Sequence, residues 1–347
     1  MEKKIRFPIL IVSLFIILIL TIGICVSVGT LKIPILETYK ILLEKVFHLE
    51  ATTDATYAGV IWQIRLPRVL LGLVIGAGLA LCGVVMQAIV QNPLADPFLL
   101  GISSGGYFGA TIFIILGGSA IGIISSMGLT LMAFLGALAA SIAVLFLASY
   151  KSKMSTTKLI LSGTIINAAC TAAANFIIAV SGTDSTISRI TYWTMGSLSS
   201  AKWESLILPA AAVAICSLFF LTQYRPLNAM LQGDDTAVTL GINIHFYRKL
   251  YIVVVALLTG ILVSTCGIIG FVGLIIPHIA RALIGANHRR LILVSILTGA
   301  IFLMGVDALA RTIIENVELP IGIFTALVGA PFFAYIMIRK SYNFSDE

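Results

Sequence analysis

Long apolar runs separated by short polar punctuation fill the chain, and their length is close to the ~20 residues an α-helix needs to cross a bilayer core. Ten such runs stand out, near residues 7–28, 69–90, 98–116, 120–148, 159–180, 205–222, 250–267, 269–285, 291–306 and 320–338. A segment in lipid must satisfy its own backbone polar groups, so each run is predicted to be a helix. The third is the weakest, because Ser103, Ser104, Gly105 and Gly106 interrupt it. From Leu250 to Ala280 there is no Asp, Glu, Lys or Arg. That stretch is long for one helix and short for two, and Gly267, Gly270 and Pro277 supply the means to reverse.

Charge decides between these counts. With ten spans both termini share one side with Lys3, Lys4, Arg6, Lys151, Lys153, Lys158, Arg225, Arg248, Lys249, Arg281, Arg289, Arg290, Arg339 and Lys340, which is 14 of the 22 basic residues against 8 opposite. The positive-inside rule makes that side cytoplasmic. Merging residues 250–280 into one span would leave 10 inside and 12 outside, so ten is preferred. The first run follows Lys3, Lys4 and Arg6, but it exceeds the ~7–15 apolar residues of a signal peptide and no clear cleavage site follows. It is read as a retained span.

Composition agrees. Hydrophobic residues make up 59% and charged residues 11%, with a mean hydropathy of +1.08, against roughly a quarter charged in soluble domains. The net charge of +7 belongs to residues flanking the spans, so no nucleic-acid partner is inferred. Cys25, Cys82, Cys170, Cys216 and Cys266 sit singly in apolar stretches and read as packing residues. His278 lies near the inner end of the eighth span and His48, His245 and His288 in aqueous segments, without companions at metal-ligand spacing. The expected fold is an all-α integral membrane protein, one domain over residues 1–347.

Gly72, Gly76 and Ala80 lie four apart and Gly83 follows, a flat face that lets another backbone approach closely. Gly76-Ala77-Gly78 lacks the third glycine and the βαβ setting of a dinucleotide site. Two prolines break the segment from Gln87 to Pro97, which is either a plain cytoplasmic turn or a broken helix packed in protein. Between Arg225 and Lys249 the pattern predicts two short helices, one opened by Pro226 and closed by Gly233, the other capped by Asp234 or Asp235 and ended by Gly241. Leu227, Met230, Leu231, Ala237, Val238 and Leu240 would then stand at a cytosolic surface that suits a protein partner. Asp307 and Arg311 read as an i,i+4 pair at the membrane surface, with Glu315 and Glu318 following. No Gly-Lys dipeptide occurs, so there is no nucleotide-binding phosphate loop and any ATP must bind another chain.

Several motifs in a fixed order carry a resemblance. They are Arg65-Leu66-Pro67-Arg68, Gln91 to Pro97 followed by Leu100 to Gly105, Trp193 to Leu198, Gly270 to Leu274 with Pro277 to Arg281, and Glu318 to Gly322 through Gly329 to Phe333. With these the chain resembles the FecCD family of importer permeases, which includes cobalamin and siderophore permeases. The resemblance implies a vitamin B12 permease-like (type II ABC importer) fold of ten helices. It also implies a prokaryotic inner membrane, a second permease copy, two cytoplasmic ABC ATPases that hold ATP and Mg, and an extracytoplasmic substrate-binding protein.

By resemblance, Arg65, Arg68 and Arg311 are expected to face the binding protein, and Asn92, Leu94, Thr156 and Thr157 to narrow the cytoplasmic mouth. A coupling segment at 226–241, between spans six and seven, is expected to dock the ATPase through Leu227, Asn228, Leu231, Gly233, Asp234, Asp235, Ala237, Leu240 and Gly241. Gln232 departs from a usually apolar position, and Asp234-Asp235 replaces a more common Glu pair. Two other classes fit the sequence less well. A secondary transporter needs intramembrane acids or bases, which the spans almost lack, and an intramembrane enzyme needs a catalytic pair that isolated Asp307 does not form. No single residue names the cargo, which the resemblance leaves among ferric siderophore, haem and cobalamin.

Overall fold

The computed structural model describes residues 2–339 except 30, 50–52, 117–124, 152–153 and 315–316. Lys153, Glu315 and Lys340 therefore lie outside the described residues. Helix α1 (Glu2–Ser27) is followed by α2 (Ile35–Phe47) and α3 (Ala55–Gly59), and α3 runs through a π-helical segment, Val60–Arg65, into α4 (Leu66–Val90). A 3-10 turn, Pro97–Leu100, leads to α5 (Ile102–Ile115), then α6 (Ser125–Ser149), α7 (Thr156–Ser181), α8 (Asp184–Thr194) and α9 (Trp203–Thr222). The short α10 (Tyr224–Leu231) and α11 (Asp234–Thr239) precede α12 (Ile244–Cys266), α13 (Val272–Ile284), α14 (His288–Thr312) and α15 (Ile321–Arg339).

Each of the ten apolar runs contains a helix. Among the described residues, seven of these are long and apolar enough to cross a bilayer: α1, the continuous 36-residue helix Ala55–Val90, α6, α7, α9, α12 and α14. The other three, α5, α13 and α15, are shorter apolar helices. The second run begins earlier than predicted. Pro67 has no N–H to donate, and the chain keeps its helix by widening the preceding turn, where the N–H of Leu66 reaches the carbonyl of Ile61.

Helix α4 is the centre of the bundle, buried at every residue except Leu70 and Leu73. The predicted flat face explains how so many neighbours fit round it. Gly76 meets the backbone of Gly299 on α14, and Gly83 meets that of Gly273 on α13, leaving no room for a Cβ at either glycine. The uncharged stretch reverses as expected. Helix α12 stops at Gly267 (φ 76°), packed on the carbonyl of Trp193, and α13 starts after Phe271 (φ 68°). Pro277 takes no part in that reversal, since it lies within α13.

Candidate functional site

Where α1 and α14 finish, Arg65, Arg68 and Arg311 come together from three elements, and each is only 4–5% exposed. Arg65 donates to the carbonyls of Val26 (3.2 Å), Ser27 (2.9 Å) and Leu31. It thereby neutralises the negative end of α1, where the last carbonyls lack helical partners. Arg68 Nε donates to Asp307 Oδ1 at 3.0 Å, and its Nη1 reaches both oxygens of Glu318 at 3.0 and 2.9 Å. Arg311 places Nε 3.0 Å from Asp307 Oδ2, an ion pair without hydrogen-bond alignment, and donates to the carbonyls of Cys25 (3.1 Å) and Val28 (3.3 Å).

The Asp307–Arg311 pair is thus not at the surface: Asp307 is 1% exposed and is shared with α4 through Arg68. The network ties α1, α4, α14 and the segment before α15 into one joint. The three expected docking arginines are neighbours, but their guanidiniums are engaged within the subunit. Glu318, with its side chain 49% exposed, carries the network to solvent.

Between α5, α7 and α8 lies a cavity of about 900 Å³. Ser103, Ser104 and Tyr107 line it from α5, Thr164, Asn167, Thr171 and Asn175 from α7, and Thr191 and Thr194 from α8, with apolar residues between and, among the described residues, no charged side chain. The Tyr107 hydroxyl donates to Asn175 Oδ1 at 2.8 Å. Sequence reasoning missed this site, although it left a signal. Thr164, Asn167, Thr171 and Asn175 recur at helical spacing, which draws a polar stripe along an otherwise apolar span. Elsewhere α7 exposes Leu161, Ile165, Phe176 and Val180.

At the opposite end, α4 closes on Gln91 (φ 55°), Asn92 Oδ1 accepts from the N–H of Leu94 (2.8 Å), and Asp96 Oδ1 accepts from that of Phe98 (2.8 Å). The 3-10 turn then packs its Leu99 carbonyl onto Gly163 of α7, so the break is packed in protein and is not a plain turn. Although Asp96 is only partly covered, burial pushes its carboxyl up to about 6 against the opposing pull of the Phe98 N–H. Asn92 is half-buried and Leu94 exposed, while Thr156 and Thr157 open α7 at this same end, half-buried and exposed.

Two short helices occupy the segment from Arg225 to Asn243, with turns at Gly233 (φ 113°) and Gly241 (φ 77°). Neither Asp234 nor Asp235 caps the second helix; Gly233 holds that position and both carboxylates fall in the first turn. Asp234 instead receives Arg248 through two bonds of 2.8 and 3.2 Å and Gln91 Nε2 at 2.6 Å. Gln91 Nε2 also reaches the carbonyl of Met230 at 3.0 Å. Asn228 Oδ1 accepts from the backbone N–H of His288 at 2.9 Å and lies 2.7 Å from its Nδ1. His288 is buried, not aqueous as expected.

Leu227, Met230 and Ala237 are fully buried rather than surface residues. The helix pair is too short to bury an apolar face on itself, so that face folds back onto the bundle. Leu231 is half-buried, Asp235 and Gly241 are exposed, and the exposed apolar residues are Val238 (62%), Leu240 (64%) and, beyond the pair, Phe246 (59%).

A sequence profile of the FecCD transport family matches residues 16–339. The hemin transport system permease protein HmuU of Yersinia pestis is 38% identical over 84% of this chain and 86% of its own. The molybdate import system permease protein MolB of Haemophilus influenzae is 36% identical over 98% of both chains. A solved structure described as an inward-facing conformation of a metal-chelate type ABC transporter is similar with a TM-score of 0.83 and 34% identity, over 96% of this chain and all of that one.

Proposed function

The chain belongs to the FecCD transport family as a multi-span permease of the ABC importer type, and from that premise we propose that it carries a large iron chelate or a cobalamin-like cofactor. The supporting observation is the cavity beside α7, about 900 Å³ with hydroxyl and amide groups and, among the described residues, no charged side chain. A cavity of that size suits a bulky ligand with a hydrogen-bonding rim. A bare oxyanion is far smaller and calls for concentrated positive charge or N–H donors.

In this reading the chain lies in the cytoplasmic membrane of a prokaryote with both termini in the cytoplasm, and the arginine end faces outward. A second copy meets it along the exposed side of α7, so that two half-pathways face each other. Two ATPases, which hold ATP and Mg, dock on the exposed Val238 and Leu240, and this chain itself performs no covalent chemistry. Asp234, joined to both Gln91 and Arg248, would pass movement of the docking helices to the loop carrying Asn92 and Leu94. Those residues and Thr156 and Thr157 would form the gate. Arg65, Arg68 and Arg311 support the binding-protein surface from beneath, by fixing Glu318 and the ends of α1 and α14.

Uptake of radiolabelled ferric chelate, haem, cobalamin and molybdate by cells with and without the chain tests the cargo. Accumulation of one of the first three only where the chain is present is expected. Chain-dependent accumulation of molybdate alone would overturn the reading.

A further inference from the structure

Helix α2 has an apolar face that the described residues leave largely uncovered. At 100° per residue Ile35, Leu36, Tyr39, Leu43, Val46 and Phe47 fall in one sector, and they are 40–83% exposed. The other side is anchored. Thr38, Ile41 and Glu44 are buried, and Glu44 accepts from Thr53 Oγ1 at 2.6 Å. A solvated loop helix would show the reverse arrangement, with its apolar residues turned inward.

Depth says what covers the stripe. The Tyr39 hydroxyl fills the space beside Gly23 of α1, where the glycine has no side chain to hold it off. Gly23 is four residues before the helix ends at Ser27, which is about 6 Å inside that end. Helix α2 is therefore drawn down against the last turn of a membrane span and is not lifted into water. Beside it α1 exposes Ile16, Ile17, Leu20 and Ile24, so the two apolar surfaces join. The π-helical segment against which α2 also packs carries Trp62, whose ring lies 5.3 Å from that of Trp203. Tryptophans of this kind mark membrane–water interfaces. Exposed Lys40 borders the stripe, within reach of lipid phosphates, while exposed Lys45 points away from it, on the side of Thr38 and Ile41.

We propose that α2 is an interfacial helix, lying along the lipid headgroup boundary at the arginine end with its apolar stripe in the acyl region. The proposal rests on α1 being a membrane span but not on the cargo. It assigns the stripe to lipid and not to the binding protein or the second copy, because the stripe continues the lipid-facing surface of α1.

Nitroxide labels on single cysteines at Leu36, Leu43, Val46 and Lys45 test this in the full chain, with Cys170 and Cys216 replaced by Ala, reconstituted in phosphatidylcholine–phosphatidylglycerol vesicles. A label at Ile16 serves as the control for the span. Power saturation should place Leu36, Leu43 and Val46 about 5–10 Å below the phosphates, favouring oxygen over a water-soluble nickel complex, with Lys45 in the aqueous zone. Stripe labels that favour the nickel complex would overturn the proposal. So would labels shielded from both reagents by a second copy, or only when the binding protein is added. If Ile16 also failed to report lipid, the span itself and not α2 alone would be in error.

Discussion

Replacing Asp307 with Asn removes one charge from between two buried arginines while keeping the side chain's size. Arg68 and Arg311 are each 5% exposed and Asp307 is 1% exposed, so the change leaves two cations poorly compensated in a dry joint. Removing one partner of a buried pair costs about 3–5 kcal/mol. Arg68 keeps Glu318, and Arg311 keeps the carbonyls of Cys25 and Val28, which puts the expected loss at the lower end, about 3 kcal/mol or two orders of magnitude in the folding equilibrium. Glu318→Gln is the comparison. Its side chain is half exposed, so its loss should cost about 1 kcal/mol or less. Thermal and denaturant unfolding of the detergent-solubilised protein, followed by tryptophan fluorescence, measures both. An Asp307→Asn variant that unfolds with the unmodified protein, or a Glu318→Gln variant that loses as much, would rule out a buried charge joint at Asp307.

Ala237→Glu puts a carboxylate at a fully buried position and should disrupt the local fold, whereas Leu240→Glu, on an exposed residue, should leave folding intact and weaken co-purification of the ATPase. The reverse pattern would move the docking face. Asp96, pushed up to about 6 against about 3.9 in an unfolded chain, binds its proton more tightly when folded, so the stability it contributes is present below pH ~4 and lost as pH rises to ~6. Asp96→Asn keeps the acceptor for Phe98 without the charge, so melting temperatures between these pH values should lose that fall; an unchanged fall would exclude Asp96 as its source. Impermeant maleimide should label a cysteine at Lys45 from outside intact cells and one at Lys151 only after permeabilisation. The opposite result would invert the topology.

The spans were legible because each is an apolar run with its own flanks, and the Gly76 and Gly83 face because small residues at helical spacing have one obvious use. The extent of α4 was not, since Pro67 signals a helix start and only the widened turn before it carries the helix back to Ala55. Helix α2 escaped because Glu37, Lys40, Glu44 and Lys45 interrupt its apolar residues, so no run of spanning length marks it. Arg65, Arg68 and Arg311 lie together in the fold, but sequence says nothing of which carbonyls and carboxylates a guanidinium meets. Ala237 shows the same gap: its apolarity is plain in the sequence, and only the fold tells that it faces inward while Val238 faces out. The cavity was missed because serine, threonine and asparagine are weak signals until α5, α7 and α8 bring them to one place.

ATP hydrolysed on partner subunits, coupled through α10 and α11, is expected to drive transport. Proteoliposomes holding the permease with its ATPase, and with the binding protein loaded with radiolabelled cargo, measure this. Uptake should require ATP on the ATPase side, persist when proton and sodium gradients are collapsed, and be lost in Leu240→Glu. Uptake by the permease alone, driven by an imposed ion gradient without ATP, would contradict it.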